Sequence, residues 1–199
     1  MSAYKESVPQ ADTLMGAMRS MGYSFESAIA DVIDNSISAQ CSVVKIFFPS
    51  EPGENLTVGI LDDGEGMSSE NLFEAMRYGC TDSELDRELT DLGRFGLGMK
   101  SASLSQCRIL TVISKQKANL CAYSWDFNYV KATKQWKVKV LKDSEIKALP
   151  HIQDLIELQH GTLVLWQDFD VIEKSSGGMV YDALDELKDK VSNNIALIF

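Results

Sequence analysis

A chain of 199 residues, 45% hydrophobic and 24% charged, is long enough to bury one core and too apolar to stay disordered. Its net charge of −10 and pI near 4.7 exclude a surface that wraps nucleic acid by itself, because phosphate binding needs clustered Lys and Arg. No apolar run approaches the roughly twenty residues of a membrane helix, and the polar first ten residues lack a signal peptide's apolar centre. Cys41, Cys80, Cys107 and Cys121 show no CxxC spacing, so they read as reduced thiols of a cytoplasmic protein, or a nuclear one in a eukaryote.

Residues 10–21 form a first predicted helix, with Leu14, Met15, Met18 and Met21 at helical spacing and Gly22 as its stop. Ser24 caps a second, residues 25–40, whose apolar stripe is Ile29, Val32, Ile33 and Ile37. Asp31, Asn35 and Ser38 share another stripe of that helix, since offsets of four and seven return to nearly the same angle. Such a row is either a solvated face or a site; Asp31 and Asn35, four apart, suit one hydrated metal ion. Residues 43–48 and 56–61 read as a hairpin of two strands, with Asp62 where the second leaves the sheet. Ser68 or Ser69 caps a helix to residue 78 that buries Leu72, Phe73 and Met76.

Residues 80–92 carry a dense charge run, read as a mobile lid. A helix follows from residue 97 or 99 to 106. Residues 108–114, 120–127 and 135–141 read as strands, the last two joined by a hairpin connection at 128–134, with Trp125 and Trp136 packing on the sheet. His151 and His160 lack a partner pattern and receive no metal or catalytic role. Residues 161–166 form another strand, Gly177-Gly178 a turn, and residues 181–199 a last helix with Leu184, Leu187, Val191, Ile195 and Ile198 in register. Its apolar end, Ala196-Leu197-Ile198-Phe199, predicts that residues 1–199 are a single domain, the N-terminal part of a longer protein.

Two glycine boxes stand out. Asp62-Asp63-Gly64-Glu65-Gly66-Met67 sets a carboxylate before a glycine turn, which can read a hydrogen-bonding edge of a small molecule. Gly93-Arg94-Phe95-Gly96-Leu97-Gly98-Met99-Lys100-Ser101 is a glycine-rich loop leading into a helix, where backbone N–H groups and the helix dipole suit phosphate. With Asp31…Asn35 before them and Gly161-Thr162 after them, four segments cover most of the chain in one order. In that order they resemble the GHKL superfamily of ATP-binding domains, which includes gyrase, the ninety-kilodalton heat-shock chaperone, MutL and histidine kinases. Residues 28–37 and 93–101 are most similar to the signature segments of MORC-type and related prokaryotic members.

The resemblance implies an α/β (α+β) fold: a two-layer sandwich of a mixed, mainly antiparallel sheet backed by helices, the Bergerat fold. ATP would lie between the helices and the lid, on the face away from the sheet. Asn35 matches the magnesium-ligating asparagine, a hard oxygen ligand for an ion that keeps most of its waters. Asp62 matches the acceptor of the adenine amino group, and Thr162 the threonine supporting it directly or through water. Gly64 and Gly66 let the backbone approach the base, Met67 packs against it, and Asp63 takes part or only caps the turn. Gly93, Gly96 and Gly98 present N–H groups to the phosphates. Lys100 and Arg94 either reach a phosphate or are simply solvated.

Asp31 takes the place of the family's general base, a glutamate in its hydrolytic members, and is one methylene shorter. Glu26, five residues earlier, faces elsewhere on the helix. Ser38 likewise replaces a frequent aspartate. A lysine from a following domain completes the site in several members, with ATP-driven dimerisation. The expected function is therefore magnesium-dependent ATP binding and slow hydrolysis that switches the lid and homodimer state of a larger protein. An ATP-binding switch with negligible hydrolysis, or a histidine-kinase-like phosphotransferase, are the alternatives. Family analogy alone suggests DNA or chromatin association through other domains, and no membrane.

Overall fold

Ser24 begins the second helix as its sequence position predicts: its hydroxyl accepts from the Ser27 N–H at 3.2 Å, satisfying one otherwise orphaned donor. That helix, α2 (Phe25–Ser38), follows α1 (Ala11–Arg19) and buries Phe25, Ala28, Ile29, Val32, Ile33 and Ser36. Ile37, assigned to the stripe, is instead 43% exposed, and Ser36 takes the buried position. The computed structural model describes residues 5, 7–20, 22–51, 56–78 and 98–198. Among these, no helix is long and apolar enough to cross a membrane.

Strands β1 (Val44–Phe47) and β2 (Thr57–Asp62) pair antiparallel, as the hairpin reading requires. Helix α3 (Ser69–Met76) is capped by Ser68, whose hydroxyl accepts from the Asn71 N–H. Helix α4 (Gly98–Gln106) leads into β3 (Ile109–Gln116), which turns directly into β4 (Asn119–Asp126) with Lys117 in a left-handed conformation. Strand β5 (Lys139–Val140) pairs with β4 through only two residue pairs. The connection between them is a helix, α5 (Phe127–Thr133), and not a hairpin turn. Asp126 caps it by accepting from the Asn128 and Tyr129 N–H groups.

The last strand, β6 (Gly161–Gln167), inserts between β2 and β3, giving the order β1-β2-β6-β3-β4-β5. All five pairings among the described strands are antiparallel, so the mixed element of the expected sheet is not found there. The α+β sandwich itself is as expected.

Side chains alternate between faces of a strand. Val58 and Ile60 of β2, Leu110 and Val112 of β3, and Val164 and Trp166 of β6 face the helices. They form one core with Phe25, Ile29, Val32, Leu72, Met76 and Leu104. Trp166 is fully buried edge-on against Phe25, with ring centroids 5.5 Å apart. The alternate residues Leu61, Ile113, Leu163 and Leu165 belong to a second, smaller cluster. It is roofed by α6 (Asp143–Ile146) and α7 (Ile152–Glu157), through Ile146, Ile152 and Leu155. The sandwich thus gains a short layer on its far side, where His151 stacks on Phe47 at 4.0 Å.

Helices α8 (Asp170–Ser175) and α9 (Val180–Ile198) finish the chain. Asp170, the first residue of α8, ties three elements together. Arg19 of α1 bonds its Oδ1, Arg108 before β3 bonds its Oδ2 at 3.0 Å, and Lys174 lies 3.7 Å away. Both guanidinium groups also sit over the Phe127 ring, at 4.6 and 5.2 Å.

Candidate functional site

The strand order places three polar residues side by side. Asp62 of β2 is opposite Thr162 of β6, and Thr162 is opposite Ser114 of β3. Their positions continue the helix-facing series 58-60-62, 110-112-114 and 162-164-166, so this polar rung ends the core face of the sheet. Asp62 is 5% exposed. Its Oδ1 accepts from the backbone N–H groups of Gly64 at 3.0 Å and Thr162 at 3.2 Å. Its Oδ2 accepts from the Ser36 hydroxyl at 2.9 Å. Burial pushes its pKa up, and these three donors oppose the rise. A carboxylate offers about four acceptor positions, so a buried acid with three neutral donors retains capacity for one more.

Ser114 closes the rung. Its hydroxyl shares a hydrogen bond with that of Thr162 at 3.0 Å and receives the Met67 N–H at 2.8 Å. Thr162 therefore supports Asp62 directly, through its backbone N–H, while its side chain holds Ser114. The two box glycines answer to the protein's own packing. A Cβ on Gly66, whose φ is +64°, would lie 2.0 Å from the Lys115 carbonyl oxygen; one on Gly64 would lie 2.8 Å from that of Ala39. Asp63 caps the neighbouring chain, its Oδ1 accepting from Ser42 at 2.7 Å and Val43 at 2.8 Å, and these bonds hold its pKa below the ordinary value. His160, given no role from the sequence, pairs its Nδ1 with the Gly64 carbonyl at 2.6 Å.

Helix α2 brings the second half of the site. Asp31 and Asn35 are one turn apart, and the Asn35 amide nitrogen donates to the Asp31 carbonyl. That bond turns the amide oxygen of this exposed side chain outward, the right atom for a hydrated cation; one hard oxygen suits Mg²⁺, which keeps several waters. The Asp31 carboxylate faces the start of α4, with Oδ2 3.8 Å from where a Cβ of Gly98 would sit. The first-turn N–H groups of that helix have no intrahelical acceptor and carry the positive end of its dipole. Burial raises the Asp31 pKa; a hydrogen bond from Tyr23 opposes the rise, and the charge of Asp34 adds to it.

The structure thus brings Asp31 to Gly98, with Asn35 one turn from Asp31, and brings Asp62, Gly64 and Thr162 together. Lys100 does not join the first group. It is 2% exposed, and its Nζ donates to the Ala75 carbonyl at 2.6 Å, over the Tyr78 ring. The carbonyls at the C-terminal end of α3, with the negative end of its dipole, attract this amine. Met67 and Met99 are half-buried and pack on the main core. Gly93, Arg94, Phe95, Gly96, Leu97 and the charged 80–92 segment lie outside the described residues.

Sequence reasoning missed Ser36 and Ser114. Ser36 had a signal: it lies three and four residues after Ile33 and Val32, a hydroxyl within a buried stripe, and buried hydroxyls need partners. Ser114 had none, because its partners Met67, Gly161 and Thr162 come from distant segments.

Compared with known families, residues 23–162 match the family described as histidine kinase-, DNA gyrase B- and HSP90-like ATPase, a span that begins at Tyr23 and ends at Thr162.

Proposed function

The chain belongs to the histidine kinase-, DNA gyrase B- and HSP90-like ATPases, and on that premise we propose that it binds Mg-ATP and hydrolyses it slowly, switching the lid and dimer state of a larger protein. One observation carries this reading: a single helix, α2, serves both halves of the site. Asp31 faces the start of α4, Asn35 stands one turn further along beside it, and Ser36 on the adjoining face bonds Asp62.

In this reading the adenine amino group donates to Asp62. The phosphates lie at the first turn of α4, whose N–H groups stabilise the developing charge. Asn35 would hold Mg²⁺, which when bound neutralises phosphate charge. Asp31 accepts a proton from the attacking water, and the carboxylate's raised pKa makes it a stronger base than an ordinary aspartate.

The test is steady-state hydrolysis with Asp31→Asn. The rate is expected to fall by roughly 10²–10⁴, the usual contribution of a general base, with ATP affinity retained. An Asp31→Asn protein as fast as wild type contradicts the base assignment. The short carboxylate favours a second reading, a binding switch without turnover; Mg-ATP binding with no phosphate release by the wild type would select it.

A further inference from the structure

We propose that His160 is a positioning residue for nucleotide specificity, its imidazole fixing the turn that aims Asp62 at the adenine amino group. The inference rests on the reading of Asp62 as the acceptor of that amine, and it adds a residue to which the sequence gives no role. The His160 Nδ1 lies 2.6 Å from the Gly64 carbonyl oxygen. A carbonyl only accepts, so Nδ1 carries the proton and donates it to this bond.

The bond falls on the peptide unit that joins Gly64 to Glu65. His160 holds the carbonyl of that unit, and its N–H, that of Glu65, donates to the Ala39 carbonyl just past α2 at 2.9 Å. A peptide plane held at both ends resists rotation, and this keeps the neighbouring Gly64 N–H on Asp62 Oδ1 at 3.0 Å. The stretch that carries His160 also grips Asp62 itself. The Thr162 N–H donates to Oδ1 at 3.2 Å, and a Cβ on Gly161 would lie 2.2 Å from the Asp62 carbonyl oxygen. Residues 160, 161 and 162 thus meet the turn in succession: ring on Gly64, backbone on backbone, N–H on carboxylate. Further along the turn β3 takes over, with Gln116 bonding the Gly66 carbonyl at 3.3 Å and Ser114 the Met67 N–H at 2.8 Å. His160 is exposed and Asp62 is buried, so the ring acts from the rim on an enclosed acid.

The chemical need is directional. A carboxylate accepts well only along its lone pairs, and the open acceptor position of Asp62 follows from where its three donors sit. Without the His160 bond the 64–65 peptide is held at its N–H alone. Gly64 has no side chain to restrict it, so its N–H moves off Oδ1 and the carboxylate turns. The affinity for an amine then falls while the remainder of the nucleotide is held as before. No proton is transferred: His160 donates to Gly64 and touches neither Asp62 nor the base.

The experiment uses the full chain as wild type, His160→Phe and His160→Asn, with calorimetry of Mg-ATP and of Mg-purine riboside triphosphate, which lacks the amine. Phenylalanine keeps a planar ring without the donor, and the asparagine amide nitrogen restores a donor close to the place of Nδ1. His160→Phe should weaken ATP binding about three- to tenfold, the range for one hydrogen bond, and change binding of the amine-free nucleotide by less than about twofold. His160→Asn should keep the wild-type preference for ATP. In an Asp62→Asn background His160→Phe should alter ATP affinity by less than about twofold, because nothing remains to be aimed. Nitrogen-15 shifts of the wild-type imidazole, taken where the ring is neutral, should show Nδ1 protonated and Nε2 bare; this reading does not depend on any variant folding. An undiminished preference for ATP in His160→Phe overturns the positioning role and leaves the Asp62 reading intact. Equal weakening of both nucleotides, an asparagine variant that behaves like phenylalanine, or an unprotonated Nδ1 also overturns it. Equal affinities of the wild type for the two nucleotides overturn the Asp62 reading and the positioning with it.

Discussion

Asp170 and Asp62 are both largely enclosed, and their surroundings differ in kind. Asp170 meets Arg19, Arg108 and Lys174, and the two arginines are braced on Phe127. Asp62 meets a hydroxyl and two backbone N–H groups, with no cation in salt-bridge range among the described residues. The first acid is neutralised by the protein and joins α1, β3 and α8. The second is oriented but not neutralised, and neutral donors leave it an acceptor position. A buried carboxylate held only by neutral donors costs stability, and it is tolerable where a ligand supplies the missing donor.

Removing each acid should separate these roles. Asp170→Ala leaves two arginines, 7% and 18% exposed, without their shared partner. It should cost about 3–5 kcal/mol in denaturant unfolding, the usual penalty for breaking one side of a buried pair. ATP affinity of the remaining folded protein should stay within about twofold. A large affinity loss with little unfolding change would reverse the assignments.

Asp62→Asn should do the opposite. The amide oxygen can keep the Gly64 and Thr162 bonds, and the Ser36 hydroxyl can turn to accept from the amide nitrogen. ATP binding by calorimetry should weaken by about 1.5–3 kcal/mol, the range for a hydrogen bond to a charged group. Stability at neutral pH should not fall. The sign follows from the raised pKa: the folded state holds this proton more tightly than the unfolded chain, so the ionised acid costs stability once pH exceeds the raised value. The advantage of Asp62→Asn over wild type should be full at neutral pH and shrink as pH falls toward the ordinary carboxylate value of 3.8. An advantage that grows on acidification would contradict it.

The smallest effect belongs to Ser36→Ala. It removes one donor from Asp62 Oδ2 in a buried setting, so about 1 kcal/mol of stability should be lost. The Asp62 pKa should rise further, which carboxyl chemical shifts would report. No change in that pKa would place the Ser36 bond outside the site's electrostatics.

What was legible in the chain was local. Asp31 and Asn35 share a helix face by spacing, Asp62 ends a strand, and Ser24 caps the helix that carries the site. What was not legible depends on contacts between distant segments. Only the family resemblance, and no local pattern, paired Thr162 with Asp62: it reaches the acid across a hundred residues because β6 inserts between β2 and β3. Lys100 falls in the first turn of α4 as spacing requires, and its amine bonds a carbonyl of α3, a contact that spacing along the chain does not announce. Helices α5 to α8 are too short to show a periodic stripe, so the roof over Leu163 and Leu165 left no pattern to read.

The central claim is that Asp62 reads an exocyclic amine. It is tested most directly by calorimetry with ATP and with purine riboside triphosphate, which lacks that amine, on wild type and Asp62→Asn. The wild type should bind the amine-free nucleotide roughly ten- to a hundredfold more weakly than ATP, and Asp62→Asn should barely distinguish the two. Equal affinities in the wild type would contradict the account.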